Sequence, residues 1–248
     1  MTLVTTAYER GITTLTLDSP ENRNALSARL VAELAEQLAR CGADRSVRAV
    51  VLAHTGSTFS AGADLKAPPS PYAFVALLRQ LLELPKPVLA RVTGKVRAGG
   101  LGLLGACDLV AASADAEFAL TEVRIGVAPS MISLTLLPRL DPRAAARYCL
   151  TGEPFDAAEA ARIGLVTAVP AGPKEDVDTV LAPMLEGLRR ASPQGLAEAK
   201  RLVAARVLET FERDAEDLVQ RSASLFASAE AREGMTAFLE RRDAAWVL

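Results

Sequence analysis

Short, mostly apolar runs rich in valine alternate with helical patterns in the first half of the chain, and this alternation restricts the fold more than any other feature. Val47–Ala53 and Val88–Val92 are such runs, and continuous apolar character is typical of strands that are buried on both faces. A strand of this kind needs helices on either side of its sheet. The sequence therefore predicts an α/β fold built on a largely parallel sheet.

Turn and capping residues place the remaining elements of this core. Leu3–Tyr8 and Ile12–Leu17 flank Arg10-Gly11 and predict a hairpin with glycine in the turn. Ser27 can cap an amphipathic helix that we expect to stop at Gly42. The other elements predicted for the core are a helix over Tyr72–Leu84 and strands over Leu109–Ala112 and Phe118–Leu120.

Beyond Ser133 the periodicity is mostly helical, and no low-complexity linker separates it from the first part of the chain. We predict an α/β core over residues 1–190 and an appended helical region over residues 191–248, rather than two independent domains. The predicted helices are Arg143–Leu150, Ala157–Arg162, Val177–Arg190, Gln194–Leu208, Ala215–Phe226 and Glu233–Trp246.

Bulk composition restricts the possible partners and the compartment. The chain has 248 residues, is 50% apolar and carries a formal charge of -2, which argues against nucleic acid or a membrane surface as the main partner. Cys41, Cys107 and Cys149 stand singly, so we expect neither disulfides nor a metal site, and a reducing cytoplasm is the simplest setting. The apolar stretch Leu101–Ala112 is too short and too interrupted to span a membrane.

Two segments, Phe59–Leu65 and Arg97–Gly102, combine small residues with backbone donors after predicted strands. Small side chains let a ligand approach the backbone closely. If both segments face one cleft, one N–H group from each could converge on a carbonyl oxygen that gains negative charge during a reaction. The pair would then form an oxyanion hole, although either segment alone is more often only a tightly packed turn.

Four motifs, in order along the chain, give these segments a more specific interpretation. They are Ser60–Lys66, Gly99-Gly100 with Cys107-Asp108-Leu109, Phe118–Pro129 and Glu233–Arg242. Together they resemble the signature of the enoyl-CoA hydratase/isomerase (crotonase) superfamily over nearly the whole chain. The resemblance implies a crotonase-like spiral of β-β-α turns with a C-terminal helical trimerisation region. It also implies an acyl-CoA substrate whose coenzyme A is part of the thioester, no other required cofactor, and a homo-oligomer that is a trimer or a dimer of trimers.

The resemblance assigns roles to individual residues by motif position. Ala63 and Gly99 would supply the oxyanion N–H groups, and Glu122 would be the catalytic carboxylate. For Lys66 and Arg241, a solvated surface charge is an equally good interpretation. The positions implied to bind coenzyme A are Arg23, Ala25, Ala61, Asp64, Leu65, Lys66, Phe238 and Arg241, of which the last two often act from a neighbouring subunit.

The chain departs from the family pattern at one catalytic position. Hydratase members usually carry a further glutamate three residues after the second oxyanion glycine, and here Gly102 occupies that place. A missing acid/base group can cost about 10²–10⁴ in rate. Leu120–Ser133 resembles the hydratases of branched, methylglutaconyl-type substrates slightly more than it resembles isomerases. We therefore expect a lyase that adds water across the 2,3-double bond. The alternatives are a Δ3,Δ2-isomerase with Glu122 as its sole base, and a non-catalytic acyl-CoA-binding homologue.

Three further features have competing interpretations. Arg97 could meet a distal carboxylate on the acyl group, or it could form an ion pair within the protein. Gly100–Gly105 is formally a dinucleotide-binding G-x-G-x-x-G motif, but Asp108 follows too soon for the helix that such a motif requires. His54 has no nearby nucleophile and orienting acid in the sequence, so we expect a structural histidine.

Overall fold

The first two strands form the hairpin that the sequence predicts. The structure is a computed structural model and describes residues 2–172 and 175–248, so that Met1, Pro173 and Lys174 of the predicted α/β core lie outside the described residues. Strands β1 (Val4–Glu9) and β2 (Ile12–Leu17) pair in antiparallel fashion. The turn between them has positive φ at two successive residues, 46° at Arg10 and 84° at Gly11, as a two-residue type I′ turn requires.

Helix α1 (Ala28–Ala43) begins where the sequence predicts, because the Ser27 hydroxyl accepts a hydrogen bond from the backbone N–H of Leu30. The predicted stop at Gly42 is wrong by a short distance, since Gly42 lies within the last turn of the helix. A Cβ atom at Gly42 would come 3.0 Å from the Leu84 side chain. The glycine therefore allows close packing of α1 on the following helix rather than a left-handed helix end.

The elements that follow alternate between strands and helices. They are β3 (Ala49–His54), β4 (Thr58–Ser60), α2 (Pro71–Glu83), β5 (Val88–Val92), β6 (Lys95–Arg97), α3 (Gly99–Ala106), β7 (Leu109–Ala112), β8 (Glu117–Ala119), α4 (Ser130–Leu136), α5 (Pro142–Thr151), β9 (Phe155–Asp156) and α6 (Ala157–Arg162).

Within residues 2–172 and 175–248, the strands form a five-stranded sheet in the order β1-β2-β3-β5-β7 and a four-stranded sheet in the order β4-β6-β8-β9. From β2 onward the pairs are parallel, except for the antiparallel pair β8–β9. The units β3-β4-α2, β5-β6-α3 and β7-β8-α4 each give one strand to each sheet and then a helix. This repetition is the spiral of β-β-α turns that the resemblance implies, and the fold prediction is confirmed.

The glycine-rich segment after β6 is a helix rather than a loop. In α3, Leu101, Leu103 and Leu104 are buried together with the glycines between them, so that the helix is apolar on all sides, as a helix inside a core is. The formal dinucleotide motif lies along this helix. Its glycines serve helix packing, and no phosphate-binding loop is formed there.

The last part of the chain is helical, with two differences from the prediction. The helices are α7 (Asp178–Arg190), α8 (Pro193–Phe226) and α9 (Ala229–Glu240). The two helices predicted over Gln194–Leu208 and Ala215–Phe226 are one continuous helix, because no glycine or proline lies between them. The last helix runs from Ala229 to Glu240 rather than from Glu233 to Trp246. It begins earlier because the Ser228 hydroxyl caps it by accepting from the Ala231 N–H, and it ends earlier because Arg241 has a left-handed conformation with φ of 57°.

Helix α8 packs into the same core as the sheets. Ala204, Val207 and Phe211 of α8 are buried in the principal apolar cluster. The buried Lys200 Nζ also lies 2.8 Å from Asp108 Oδ2 and donates to the carbonyl of Leu81 at 2.7 Å. The boundary at residue 190 thus stays a prediction about where the appended helices begin. Among the described residues, no helix is both long and apolar enough to cross a membrane.

Candidate active site

The loop before α1 runs beside the segment that follows β4, and this pairing fixes the orientation of Ala63. Leu26 donates its N–H to the Gly62 carbonyl at 2.8 Å, and its carbonyl accepts from the Asp64 N–H at 3.1 Å. These two bonds form a short parallel bridge between Leu26 and Ala63, which directs the N–H of Ala63 away from Leu26. Among the described residues, that amide has no hydrogen-bond acceptor, and Ala63 is exposed.

The same pairing gathers most positions expected to bind coenzyme A. Ala61 donates its N–H to the carbonyl of Arg23 at 3.0 Å, and the Asp64 carboxylate accepts from the Lys66 N–H at 2.9 Å. Arg23 and Lys66 are exposed, Ala25 is buried, and Ala61, Asp64 and Leu65 are half-buried. The structure therefore brings Arg23, Ala25 and Ala61–Lys66 together along one edge of the molecule.

Helix α3 supplies the second free amide. Gly99 is its first residue, and an N–H group in the first turn of a helix has no acceptor within that helix. Among the described residues, the Gly99 amide has no backbone or side-chain acceptor elsewhere either. The preceding Ala98 has a φ of 46° and a ψ of -118° and is held by a 3.2 Å hydrogen bond from its N–H to the Ala119 carbonyl. Such a conformation is costly for a residue with a side chain and often marks a functional turn.

The two residues with free amides, Ala63 and Gly99, lie close together beside one small space. A Cβ atom placed on Gly99 would lie 3.9 Å from the Ala63 nitrogen, and one placed on Gly62 would lie 3.6 Å from the Gly99 nitrogen. The side chains of Leu26 and Phe74 border this space, 3.0 and 3.5 Å from the same Gly99 position. Two N–H groups in an apolar setting can stabilise a developing negative charge on one oxygen atom.

Glu122 lies at the same end of the four-stranded sheet as Gly99. Strand β8 runs parallel to β6 with Ala119 opposite Arg97, and Glu122 opens the 3₁₀ turn Glu122–Ile125 three residues later. Its side chain is buried, and its Oε2 atom has no hydrogen-bond partner within the described residues. Burial raises the pKa of Glu122 to about 7, although a hydrogen bond from its own backbone N–H lowers this pKa by a smaller amount. A carboxyl group with this pKa can both accept and return a proton near neutrality.

The place of the glutamate that the sequence lacks is filled by another side chain. Helix α4 packs against α3 so closely that a Cβ atom on Gly102 would lie 2.5 Å from Ile132 Cγ2. The Thr135 hydroxyl also donates to the Gly102 carbonyl at 3.0 Å. Glycine at this position is therefore a requirement of the α3–α4 contact, and a side chain there would have to displace Ile132.

The closing helix α9 packs directly on the Glu122 turn. A Cβ atom on Gly126 would lie 2.7 Å from the backbone carbon of Glu230, and one on Gly234 would lie 2.5 Å from the backbone carbon of Ile125. At the far end of α9, Phe238 is 57% exposed and Arg241 is exposed. Among the described residues, no hydrogen bond or ion pair joins Phe238 or Arg241 to the segment around Ala63, so the single chain does not complete that part of the predicted site.

Two other candidate residues have structural partners. The Arg97 guanidinium forms an ion pair with Glu117 and donates to the backbone carbonyls of Val96 and Glu117, which is the internal ion pair considered for it. His54 accepts from the Thr93 N–H at 3.1 Å, and burial lowers its pKa. His54 is thus a structural residue. In the part of the chain that the structure describes, no group of three or more His, Cys, Asp or Glu side chains could hold a metal ion.

Comparison with known proteins finds relatives that match nearly the whole chain. A family model described as enoyl-CoA hydratase/isomerase matches residues 7–247. The chain belongs to the enoyl-CoA hydratase/isomerase family. A family member from Rhizobium meliloti, named as a probable enoyl-CoA hydratase, is 36% identical over 93% of this chain and 92% of its own length. One from Bacillus subtilis with the same name is 31% identical over 98% and 97%.

Solved structures of this family superpose over almost the whole chain. The crystal structure of an enoyl-CoA hydratase from Mycobacterium avium is 51% identical and has a TM-score of 0.92, covering 99% of each chain. That of a carnitinyl-CoA hydratase from the same species is 27% identical and has a TM-score of 0.88, covering 99% of this chain and 98% of its own. The hydratase fold is therefore shared by relatives that differ in the acyl group their names give.

Two residues near the site were not predicted as part of it. Ile132, which fills the space beside Gly102, is noticeable in the sequence only as part of a motif, because its contact depends on how α4 crosses α3. Ser130 is buried, with 6% of its surface exposed, and its hydroxyl has no partner within the described residues. The signal available in the sequence was a hydroxyl directly after the motif proline, Pro129.

Proposed function

We propose that this protein is an enoyl-CoA hydratase-type lyase that adds water across the 2,3-double bond of an acyl-CoA thioester. The observation that carries the proposal is the proximity of Ala63 and Gly99, whose amides are free, at the end of the sheet where Glu122 is buried. Membership of the enoyl-CoA hydratase/isomerase family supports the same reaction class. No cofactor is required by this chemistry, since coenzyme A arrives as part of the substrate.

The proposed reaction gives each of these groups a role. The thioester oxygen accepts hydrogen bonds from the N–H groups of Ala63 and Gly99. A water molecule attacks C3 while the electron pair of the C2–C3 double bond moves toward that oxygen and forms an enolate. The Glu122 carboxylate takes the proton that the water loses and then delivers it to C2, which restores the thioester carbonyl. Stabilisation of the enolate oxygen by a preorganised donor contributes about 10²–10³ in rate in comparable sites.

We infer that coenzyme A lies along the edge formed by Arg23, Ala25 and Ala61–Lys66. The exposed side chains of Arg23 and Lys66 are suitable partners for its phosphates. Phe238 and Arg241 would reach coenzyme A from a neighbouring subunit, which requires a homo-oligomer, either a trimer or a dimer of trimers. The exposure of Phe238 in the single chain supports this arrangement, and the unpaired cysteines support a cytoplasmic setting.

Isomerisation is the second candidate function, and the packing at Gly102 supports it. A Δ3,Δ2-isomerase moves one proton between C4 and C2 through the same enolate and needs a single base. Ile132 occupies the space of the second carboxylate, so that Glu122 is the one glutamate of the motif that remains. The preference for branched, glutaconyl-type acyl groups stays a prediction, since the names of the relatives do not address it.

The test is to incubate the purified protein with crotonyl-CoA, 3-methylglutaconyl-CoA and 3-hexenoyl-CoA and to follow the absorbance of the conjugated enoyl thioester. Hydration removes this absorbance from the first two substrates, and isomerisation of the third creates it. Glu122→Gln should abolish turnover, whereas Glu198→Gln, on the exposed face of α8, should not change it. Binding of all three thioesters without Glu122-dependent turnover would contradict the proposal and favour a non-catalytic acyl-CoA-binding protein.

A further inference from the structure

Ser130 has a buried hydroxyl that nothing in the fold satisfies. Its exposed fraction is 6%, and its Oγ atom has no hydrogen-bond partner among the described residues. The other hydroxyls of the same helix are engaged: Ser133 donates to the Ser130 carbonyl at 2.6 Å, and Thr135 donates to the Gly102 carbonyl at 3.0 Å. A buried hydroxyl without a partner is unfavourable, and natural proteins seldom keep one without a functional or solvent-mediated reason.

The packing of α4 on α3 brings the start of α4, where Ser130 lies, alongside the start of α3. A Cβ atom on Gly102 would meet Ile132, and one on Gly105 would meet Thr135 at 2.8 Å, so that the two helices keep the same spacing and direction along their contact. The same spacing sets Ser130, the first residue of α4, level with Gly100 of α3. Ser130 therefore lies at the level of the first turn of α3, where the Gly99 amide is free.

Glu122 is held close to the same region by the turn that joins it to α4. The Val127 N–H donates to the Glu122 carbonyl at 3.1 Å, and the Ser130 N–H donates to the Ala128 carbonyl at 2.7 Å. These bonds fold residues 122–130 back on themselves. The result is that two buried oxygen atoms without partners, Glu122 Oε2 and Ser130 Oγ, belong to one short, tightly folded segment at the oxyanion end of the sheet.

We propose that Ser130 holds the attacking water together with Glu122 and thereby supplies the second polar contact that Gly102 does not provide. This role rests on the proposed hydratase function. The water donates one hydrogen to the Glu122 carboxylate and the other to Ser130 Oγ, which leaves an oxygen lone pair directed at C3. As the new C3–O bond forms, only the proton facing Glu122 is transferred, and it later reaches C2. Ser130 gains and loses no proton and fixes the position of the water.

The test separates water addition from enolate formation in the same protein. Ser130→Ala removes the hydroxyl, Ser130→Thr retains it, and Ser133→Ala is the matched control from the same helix. Hydration of crotonyl-CoA is measured as kcat and KM. Enolate formation is measured as exchange of the C2 hydrogens of butanoyl-CoA with heavy water, a reaction that adds no water to C3.

We expect Ser130→Ala to lower kcat for hydration about 10-fold to 100-fold with little change in KM, and to leave the exchange rate within about two-fold. Ser130→Thr should recover most of the hydration rate, and Ser133→Ala should resemble the unchanged protein. Because the hydroxyl has no partner to lose, Ser130→Ala should also be at least as stable as the unchanged protein in thermal unfolding.

Unchanged hydration in Ser130→Ala would overturn the assignment, and so would an equal fall in hydration and exchange, since that would place Ser130 in the support of Glu122 or of the fold. Failure of the proposed function gives a different result. In that case the unchanged protein itself would not hydrate crotonyl-CoA, and the role of Ser130 in holding water would be rejected together with the proposed function.

Discussion

Replacing Glu122 with glutamine should change the stability of the protein in a way that depends on pH. Burial raises the pKa of this carboxyl from 4.5 to about 7. The difference of about 2.5 pH units, at 1.36 kcal/mol per unit, corresponds to about 3 kcal/mol. Because Glu122 is buried, little of this free energy is screened by solvent. The glutamine variant keeps the shape of the side chain and has no charge to bury.

The sign of this pH dependence follows from the protonation of Glu122 in the folded and unfolded states. Below pH 4.5 the carboxyl is protonated in both the folded and the unfolded chain, and the substitution gives no gain in stability from the removed charge. Between pH 4.5 and 7 the unfolded chain ionises while the folded chain keeps its proton, so the stability of the unchanged protein falls as pH rises. Above pH 7 the carboxylate is buried with its charge, and the glutamine variant should be more stable by about 3 kcal/mol.

The assay is urea unfolding at pH 5, 7 and 9 at fixed protein concentration, with Glu198→Gln as the control for an exposed glutamate. The stability difference between Glu122→Gln and the unchanged protein should increase across this range, while that of the control should stay within about 0.5 kcal/mol. A difference that is the same at all three values of pH would show that the carboxyl titrates equally in the folded and unfolded states, which is contrary to a pKa raised by burial.

Three further predictions concern the contact of α3 with α4, the ion pair between α8 and the core, and the oxyanion hole. Gly102→Glu should destabilise the fold by about 1–3 kcal/mol in urea unfolding, because its Cβ would lie 2.5 Å from Ile132. Adding Ile132→Ala should recover part of that stability and raise the hydration rate above that of Gly102→Glu alone. A double variant with the same stability and rate as Gly102→Glu would show that Ile132 does not limit the space at this position. Lys200→Met should lower the free energy of unfolding by about 3–5 kcal/mol, since it leaves the Asp108 carboxylate buried without the ammonium group of Lys200. An unchanged midpoint of urea unfolding would show that the ion pair is not formed. Gly99→Ala should lower kcat/KM at least about 10-fold by placing a methyl group beside the oxyanion hole, and a steady-state rate equal to that of the unchanged protein would argue against the hole.

Much of the α/β core could be predicted from the sequence because its elements are long and regular. The hairpin β1–β2, helix α1 and strands β3, β5 and β7 have clear apolar periodicity and local turn or cap signals. Strands β4 and β6 are not predicted, because each has only three residues, with a single apolar residue between two polar ones. Helix α3 is not predicted from the sequence, since glycine disfavours helices in isolation and only burial among its neighbours stabilises the helix here.

The site was predictable where a motif fixes the backbone and less so where helices cross. The pairing of Arg23–Leu26 with Ala61–Asp64 and the proximity of Ala63 to Gly99 agree with the motif positions. The contact of Ile132 with Gly102 and the burial of Ser130 depend on the crossing of α3 and α4, which the sequence does not encode as a local pattern. The partner of Arg97 likewise depends on the alignment of β6 with β8.

We propose that Ala63, Gly99 and Glu122 form one site that makes and stabilises a thioester enolate. The decisive experiment is to incubate butanoyl-CoA with the protein in heavy water and to measure deuterium at C2 by mass spectrometry. We expect incorporation by the unchanged protein, at a rate that rises with pH toward a plateau above about 7, and loss of incorporation in Glu122→Gln. If bound butanoyl-CoA gains no deuterium, or gains it equally in Glu122→Gln, the three residues do not form such a site.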